Sequence, residues 1–304
     1  MRQDDIARLQ RWNVGQRVPP PVFARMVSHP QFGNAARAIA ANMLSAREHD
    51  KALDGIFKDA GRYLAAMWAM YLHASGGLTL PRLKQISTQS GYLSPGRARA
   101  LLLYMRHLDY VAPVSGRKRA EPARYVPTPS FTRAWRKHLR AAFEAAQIIE
   151  PGVAAVLERL DEPAILESLS RGRSEDLLAS ARDSDQSNPF LRVFLHRHAG
   201  MQIVWTLLLA DNVFPPRNPL PISIAGLARR FDVSRIHLRR LFDDAARERL
   251  LTLDTDGRVT LSEPMRAMLE FLYAIQLIRL LGAAAQTLAE METPPPKRLA
   301  AAVA

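Results

Sequence analysis

Leu93-Ser94-Pro95-Gly96-Arg97-Ala98-Arg99-Ala100-Leu101-Leu102-Leu103-Tyr104-Met105-Arg106-His107-Leu108-Asp109-Tyr110-Val111 returns in outline about 140 residues later. The second version reads Val233-Ser234-Arg235-Ile236-His237-Leu238-Arg239-Arg240-Leu241-Phe242-Asp243-Asp244-Ala245-Ala246-Arg247-Glu248-Arg249-Leu250-Leu251. Each opens on an apolar residue and a serine. Counted from that serine, Leu101 and Leu241 stand at the seventh position, and Val111 and Leu251 at the seventeenth. Ser94 suits a helix N-cap, because Pro95 then takes the first helical position, where a missing N–H costs nothing. Ala98, Leu101, Leu102, Met105 and Leu108 recur at helical spacing, so one stripe of this helix is expected to be buried. The matching stripe in the second copy is Leu238, Leu241, Phe242 and Ala245.

The match extends outward on both sides. Upstream, Leu78-Thr79-Leu80 and Ile222-Ser223-Ile224 open a preceding helix, with Thr79 or Ser223 placed to cap it. Leu83 and Leu227 follow four residues after those caps. The connection to the next helix is four residues longer in the first copy, with 88–91 the expected insertion. Further upstream, two apolar helical stretches carry Trp68 and Trp205 at matching places, where a core role is expected. Downstream comes a hairpin pattern: 110–114 and 124–127 flank a tip at 115–123. In the second copy, 251–253 and 258–261 flank the tight-turn sequence Asp254-Thr255-Asp256-Gly257.

Helix, helix, turn, helix and a two-stranded wing, repeated in register, predict a mainly α chain. Its plan is two winged helix-turn-helix domains joined by a helical linker. The expected divisions are a helical segment at 1–60, a first winged domain at 61–130, the linker at 131–190 and a second winged domain at 191–263. A long C-terminal helix at 264–292 and a disordered tail at 293–304 complete it.

Composition narrows the function classes. With 304 residues, 48% apolar and 23% charged, the chain can bury a sizeable core. It contains no cysteine, which excludes disulfides, thiol catalysis and cysteine-based metal sites. Residues 1–16 are studded with Arg2, Asp4, Asp5, Arg8 and Arg11, unlike a signal peptide. The most apolar stretch, 265–288, is interrupted by Arg266, Glu270, Gln276 and Arg279. It is expected to be an amphipathic or buried helix and not a membrane span. A cytoplasmic protein is therefore expected.

The net charge is +13, and its placement is uneven. Residues 61–140 hold fourteen Lys or Arg against Asp109 and Glu121, so almost the whole excess sits there. A basic segment of this kind suits a polyanionic partner. Opposite the apolar stripe of the first copy stand Ser94, Gly96, Arg97, Arg99, Ala100, Leu103 and Arg106. Arginine can take guanine O6 and N7 bidentately, and small residues allow close approach in a major groove. At the hairpin tip Arg117, Lys118 and Arg119, with Arg124 returning, suit phosphates or a minor groove. The second copy offers Arg235, His237, Arg239 and Arg240. It also carries Asp243, Asp244, Asp254 and Asp256, and residues 196–262 net only +3. That leaves DNA contact and protein contact both open for it.

At these residues the chain resembles known families. The stretch 78–111 with its wing is similar to MarR-type winged-helix transcription regulators. Ile224-Ala225-Gly226-Leu227-Ala228-Arg229-Arg230-Phe231, continuing through the turn to Phe242, resembles the first helix-turn-helix of AraC-type activators. The second helix-turn-helix of that family is missing, and a wing replaces it. The resemblance covers roughly half the chain. It implies double-stranded DNA as partner, transcriptional control and a nucleoid-associated location. It supplies neither a target sequence nor a ligand.

Catalytic patterns are not found. There is no Gly-rich phosphate loop, no nucleophile elbow and no His-Glu-x-x-His helix. His196 and His198, two apart on an expected helix, would point to different faces. A non-enzymatic protein without cofactor or metal is therefore expected. A replication-initiation or chromosome-segregation protein, with one winged helix for DNA and one for protein contacts, is the alternative function. The extended apolar C-terminal helix suits a homodimer seam, and a homodimer with the first copy of each chain on DNA and the second buttressing it is expected. The alternative is a monomer using two unlike readers on an asymmetric site.

Overall fold

The computed structural model describes residues 3–15, 17–48, 50, 54–56, 58–114, 121–182 and 188–292. It is mainly helical, 68% helix, with two small three-stranded antiparallel sheets. The chain begins with α1 (Gln3–Gln10), α2 (Pro20–Val27) and α3 (Phe32–Glu48). Ala35, Ala36, Ile39, Ala40, Met43 and Leu44 are buried along α3; the three alanines among them let neighbouring helices approach closely.

The first repeat follows: α4 (Ala60–Ala74), β1 (Leu78–Thr79), α5 (Leu80–Gln89), α6 (Pro95–His107), β2 (Val111–Pro113) and β3 (Arg124–Pro127). Next come α7 (Pro129–Gln147), a 3-10 turn, α8 (Ala154–Glu158), α9 (Pro163–Arg182) and a π-helical turn at Leu191–Leu195. The second repeat is α10 (Gly200–Leu209), β4 (Leu220–Pro221), α11 (Ile224–Phe231), α12 (Arg235–Arg247), β5 (Leu251–Leu253) and β6 (Arg258–Leu261). The long helix α13 (Glu263–Glu292) ends the described chain.

The two repeats agree in detail. The sheet orders are β1-β3-β2 and β4-β6-β5, with Leu78 opposite Tyr125 and Leu220 opposite Val259. From Ala98 to Tyr110 and from Leu238 to Leu250, burial and exposure alternate identically, residue for residue. Both helices end on a left-handed residue, Asp109 at φ 55° and Arg249 at φ 57°. Left-handed backbone is costly for a non-glycine residue, so its recurrence at the same offset marks one local solution used twice. The next amides, Tyr110 N–H and Leu250 N–H, donate back to Met105 and Ala245 carbonyls at 2.8 and 2.9 Å. Thr128 and Ser262 then do parallel work. Each donates its hydroxyl to the segment joining helix and hairpin, and each accepts an N–H from the following helix.

Several details differ from expectation. The leading residues of α5 and α11 are preceded by a third strand in each sheet, not anticipated in the pattern. Two residues are too few to show alternation; in β1 the extended backbone that the N-cap Thr79 needs also serves the pairing. Of the expected insertion, Thr88 and Gln89 lengthen α5 rather than its following turn. Leu108 is half-buried because it is the C-cap of α6 and no longer part of the stripe. His196 and His198 lie in the bend between the π-helical turn and α10, not on a helix.

The buried apolar residues form one continuous cluster through the N-terminal helices, the linker helices and both repeats. Trp68 and Trp205 are both part of it. α4 packs on α9 as well as on α5, and α10 packs on α3, so the first helix of each repeat belongs to the central body too. α13 is about 45 Å long at 1.5 Å per residue and is apolar enough to cross a membrane by length and composition. Here it packs against α1, α2, α3, α7 and α9. Leu269, Tyr273, Leu277, Leu280, Leu281 and Leu288 are buried within the chain itself.

Candidate nucleic-acid interface

The exposed side of α6 is set by its buried side. Ala98, Leu101, Leu102 and Met105 face the core, which leaves Gly96, Arg99, Ala100, Leu103 and Arg106 exposed. Arg99, Leu103 and Arg106 stand at i, i+4 and i+7 and form one stripe. Leu103 is 50% exposed between the two arginines. Arg99 and Arg106 make no ion pair among the described residues. Ser94 Oγ accepts the Arg97 N–H at 3.3 Å, so the expected cap is present.

Arg97 behaves differently from its neighbours. Its Nη2 donates to Asp59 Oδ1 at 2.8 Å, and Asp59 in turn caps α4 by accepting the Arg62 N–H at 3.0 Å. The approach is close enough that a Cβ on Gly61 would lie 2.9 Å from Leu93 and 3.0 Å from the Arg97 guanidinium. Arg97 thus ties the N-terminus of α6 to that of α4.

At the base of the first hairpin, Arg124 is exposed and lies across Gly77. A Cβ on Gly77 would come within 2.7 Å of its guanidinium, and Gly77 also has φ +115°. Glycine meets both demands at once. Arg82, by contrast, donates to the carbonyls of Gly77 and Ser75 at 2.9 and 2.8 Å and holds this turn. The expected tip residues Arg117, Lys118 and Arg119 lie outside the described residues.

On α12, Arg235, Arg239 and Arg240 are exposed and unpaired among the described residues, beside Ile236 at 61% exposure. His237 is half-buried, and its ring Nε2 meets the His198 carbonyl at 2.9 Å, so it faces the bend before α10. Asp244 pairs with Arg247 and Arg197, which hold its carboxyl below the usual range. Asp254 is occupied within the turn: its carboxylate accepts the N–H groups of Asp256 and Arg258 at 3.0 and 2.7 Å. The acidic look of this copy is therefore partly internal structure. Further ties join it to the body: Arg230 to Glu48 at 2.7 Å, Lys58 to Asp232 at 3.8 Å and Arg192 to Glu248 at 2.6 Å.

The bend holding His196 and His198 sits between the repeats. Burial lowers both imidazoles below their ordinary value, with nearby cations adding to the effect. Their rings face different partners, Tyr92 and His237. No group of three or more potential metal ligands occurs among the described residues.

Sequence reasoning passed over Asp59 and Arg197, which anchor the two exposed helices. An aspartate directly before an apolar helix is a readable N-cap signal. Arg197 had no such signal, because its partner Asp244 is distant in sequence. Comparison with protein-family models, curated proteins and solved structures finds no match to this chain.

Proposed function

We propose that this chain binds double-stranded DNA through two winged helix-turn-helix units and acts as a transcription regulator rather than an enzyme. The observation that carries the reading is the stripe Arg99, Leu103 and Arg106 on α6, exposed and without an ion pair among the described residues. Arginines flanking an exposed leucine offer guanine hydrogen bonding and thymine-methyl contact together. Gly96 supports the same reading. Beyond its own helix, a side chain there would meet nothing within 4 Å among the described residues, so this face is open to close approach from outside.

The basic segment 61–140 supplies the phosphate attraction that such readout needs. The test is binding of the full chain to a random duplex over a range of salt. A steep fall of log K with log salt supports the reading, and no measurable binding at low salt overturns it. Mapping occupied sites in cells then separates promoters from an origin.

A second reading has its own observation. On α12 His237 and Asp244 turn to the body, whereas Ile236 is highly exposed. A unit of that kind suits protein contact, as a replication-initiation or segregation protein would use. The burial of α13 inside the chain favours a monomer using both units over a dimer seamed by that helix.

A further inference from the structure

A cavity of about 370 Å³ lies between α4, α9, α10 and α13. Its walls are mostly apolar, including Leu64, Met67, Met201, Trp205, Leu272 and Leu280. This size and character match small-molecule sites, which place a few polar groups in an apolar chamber. The charged groups in the lining are Lys58, Asp59, Arg173, Asp176, Arg197 and Arg279.

Five of these six are engaged with charged partners. Asp59 holds Arg62 and Arg97, Lys58 lies near Asp54 and Asp232, Arg197 pairs with Asp244, and Arg279 meets Asp176 at 3.0 Å. Arg173 has no carboxylate within 4 Å among the described residues. Among the described residues its Nη2 reaches only the Tyr63 hydroxyl, at 3.4 Å, and its buried Nη1 has no hydrogen-bond partner. An always-charged guanidinium with an unsatisfied buried N–H is costly unless something else accepts from it. Tyr63 also meets His138 Nε2 at 3.2 Å, so Arg173, Tyr63 and His138 form one polar end of the chamber.

We propose that this cavity is a binding site for an organic anion with an apolar, aromatic-sized body, its carboxylate or sulfonate held by Arg173 and Tyr63. The walls also carry the ties to both exposed helices: Asp59 holds Arg97 at the start of α6, and Arg197 holds Asp244 on α12. An occupant therefore acts on both helices through groups it touches. The site itself is independent of the DNA-binding reading; only the consequence of occupancy rests on it.

The test uses the full chain and two dyes of similar shape. One is the anion 8-anilinonaphthalene-1-sulfonate; the other, N-phenyl-1-naphthylamine, lacks the sulfonate. The expected result is one saturable anion site per chain, from which the neutral dye is displaced competitively. Arg173→Gln should weaken the anion by about tenfold or more and leave the neutral dye unchanged, while Arg173→Lys retains most of the affinity. Met201→Trp, which fills the chamber, should abolish both with an unchanged unfolding midpoint. Unaltered anion affinity in Arg173→Gln overturns the assignment of the anion to Arg173. Independent binding of the two dyes to the unaltered chain, or no saturable binding of either, overturns the site without reference to any variant. These readouts need no DNA, so their failure is distinguishable from failure of the DNA-binding reading.

Discussion

Asp59 Oδ1 accepts both the Arg62 N–H that starts α4 and the Arg97 guanidinium from α6, so one carboxylate caps one helix and anchors another. Asp59→Ala removes a cap, which costs about 1 kcal/mol, and a half-exposed ion pair, which contributes less than about 1 kcal/mol. The expected destabilisation is about 1–2 kcal/mol in urea unfolding. Asp59→Asn, which keeps a capping oxygen, should lose less. Equal losses for Ala and Asn would show that the cap carries nothing.

Arg99 is expected to read a base. Arg99→Ala should cost roughly 1–3 kcal/mol on the best site and relax preference at one position. Affinities measured on a panel of single-base variants decide this. A uniform loss across the panel would make Arg99 a phosphate contact.

The tip Arg117-Lys118-Arg119 is expected to meet phosphate. Replacing all three by alanine should weaken every duplex alike and flatten the log K against log salt slope by up to about 3. An unchanged slope would remove the tip from the interface.

Two unlike readers in one chain should select an asymmetric bipartite site. Arg235, Arg239 and Arg240 differ from the Arg99, Leu103 and Arg106 stripe, so the two halves should differ in sequence. Selection from a random pool, repeated with Arg239 and Arg240 replaced by alanine, should lose one half only. An inverted repeat would point instead to a symmetric dimer.

His138 gives stability a pH dependence. It is buried, and desolvation, helped by Arg173, holds its pKa well below the ordinary imidazole value of about 6.5. The folded state keeps it neutral, whereas the unfolded chain takes up a proton below that value. Stability is therefore full above about pH 6.5 and falls as the pH drops, by up to about 1.4 kcal/mol per pH unit for one such group. Urea unfolding between pH 7.5 and 5 should show a shallower fall for His138→Gln. The same gradient in the variant would show that His138 does not govern it.

The features legible in the sequence are those whose causes lie close together along the chain. Ser94 and Ser234 cap helices three residues away, the apolar stripe of α6 repeats within one helix, and Asp254 closes a turn within four residues. Spacing alone therefore located both exposed helices and both hairpins, as well as the Arg99 stripe. The partners of individual side chains were not legible. Arg97 and Arg99 look alike on the outward face, yet Arg97 reaches Asp59 at the start of another helix and Arg99 has no ion-pair partner among the described residues. His237 shares its helix with exposed arginines, but the bend at His198 arrives beside it. The third strand of each sheet and the chamber around Arg173 likewise exist only where distant segments meet. A helical period fixes the face a residue is on, whereas its partner depends on the position of chain dozens of residues away, which packing of the shared core decides.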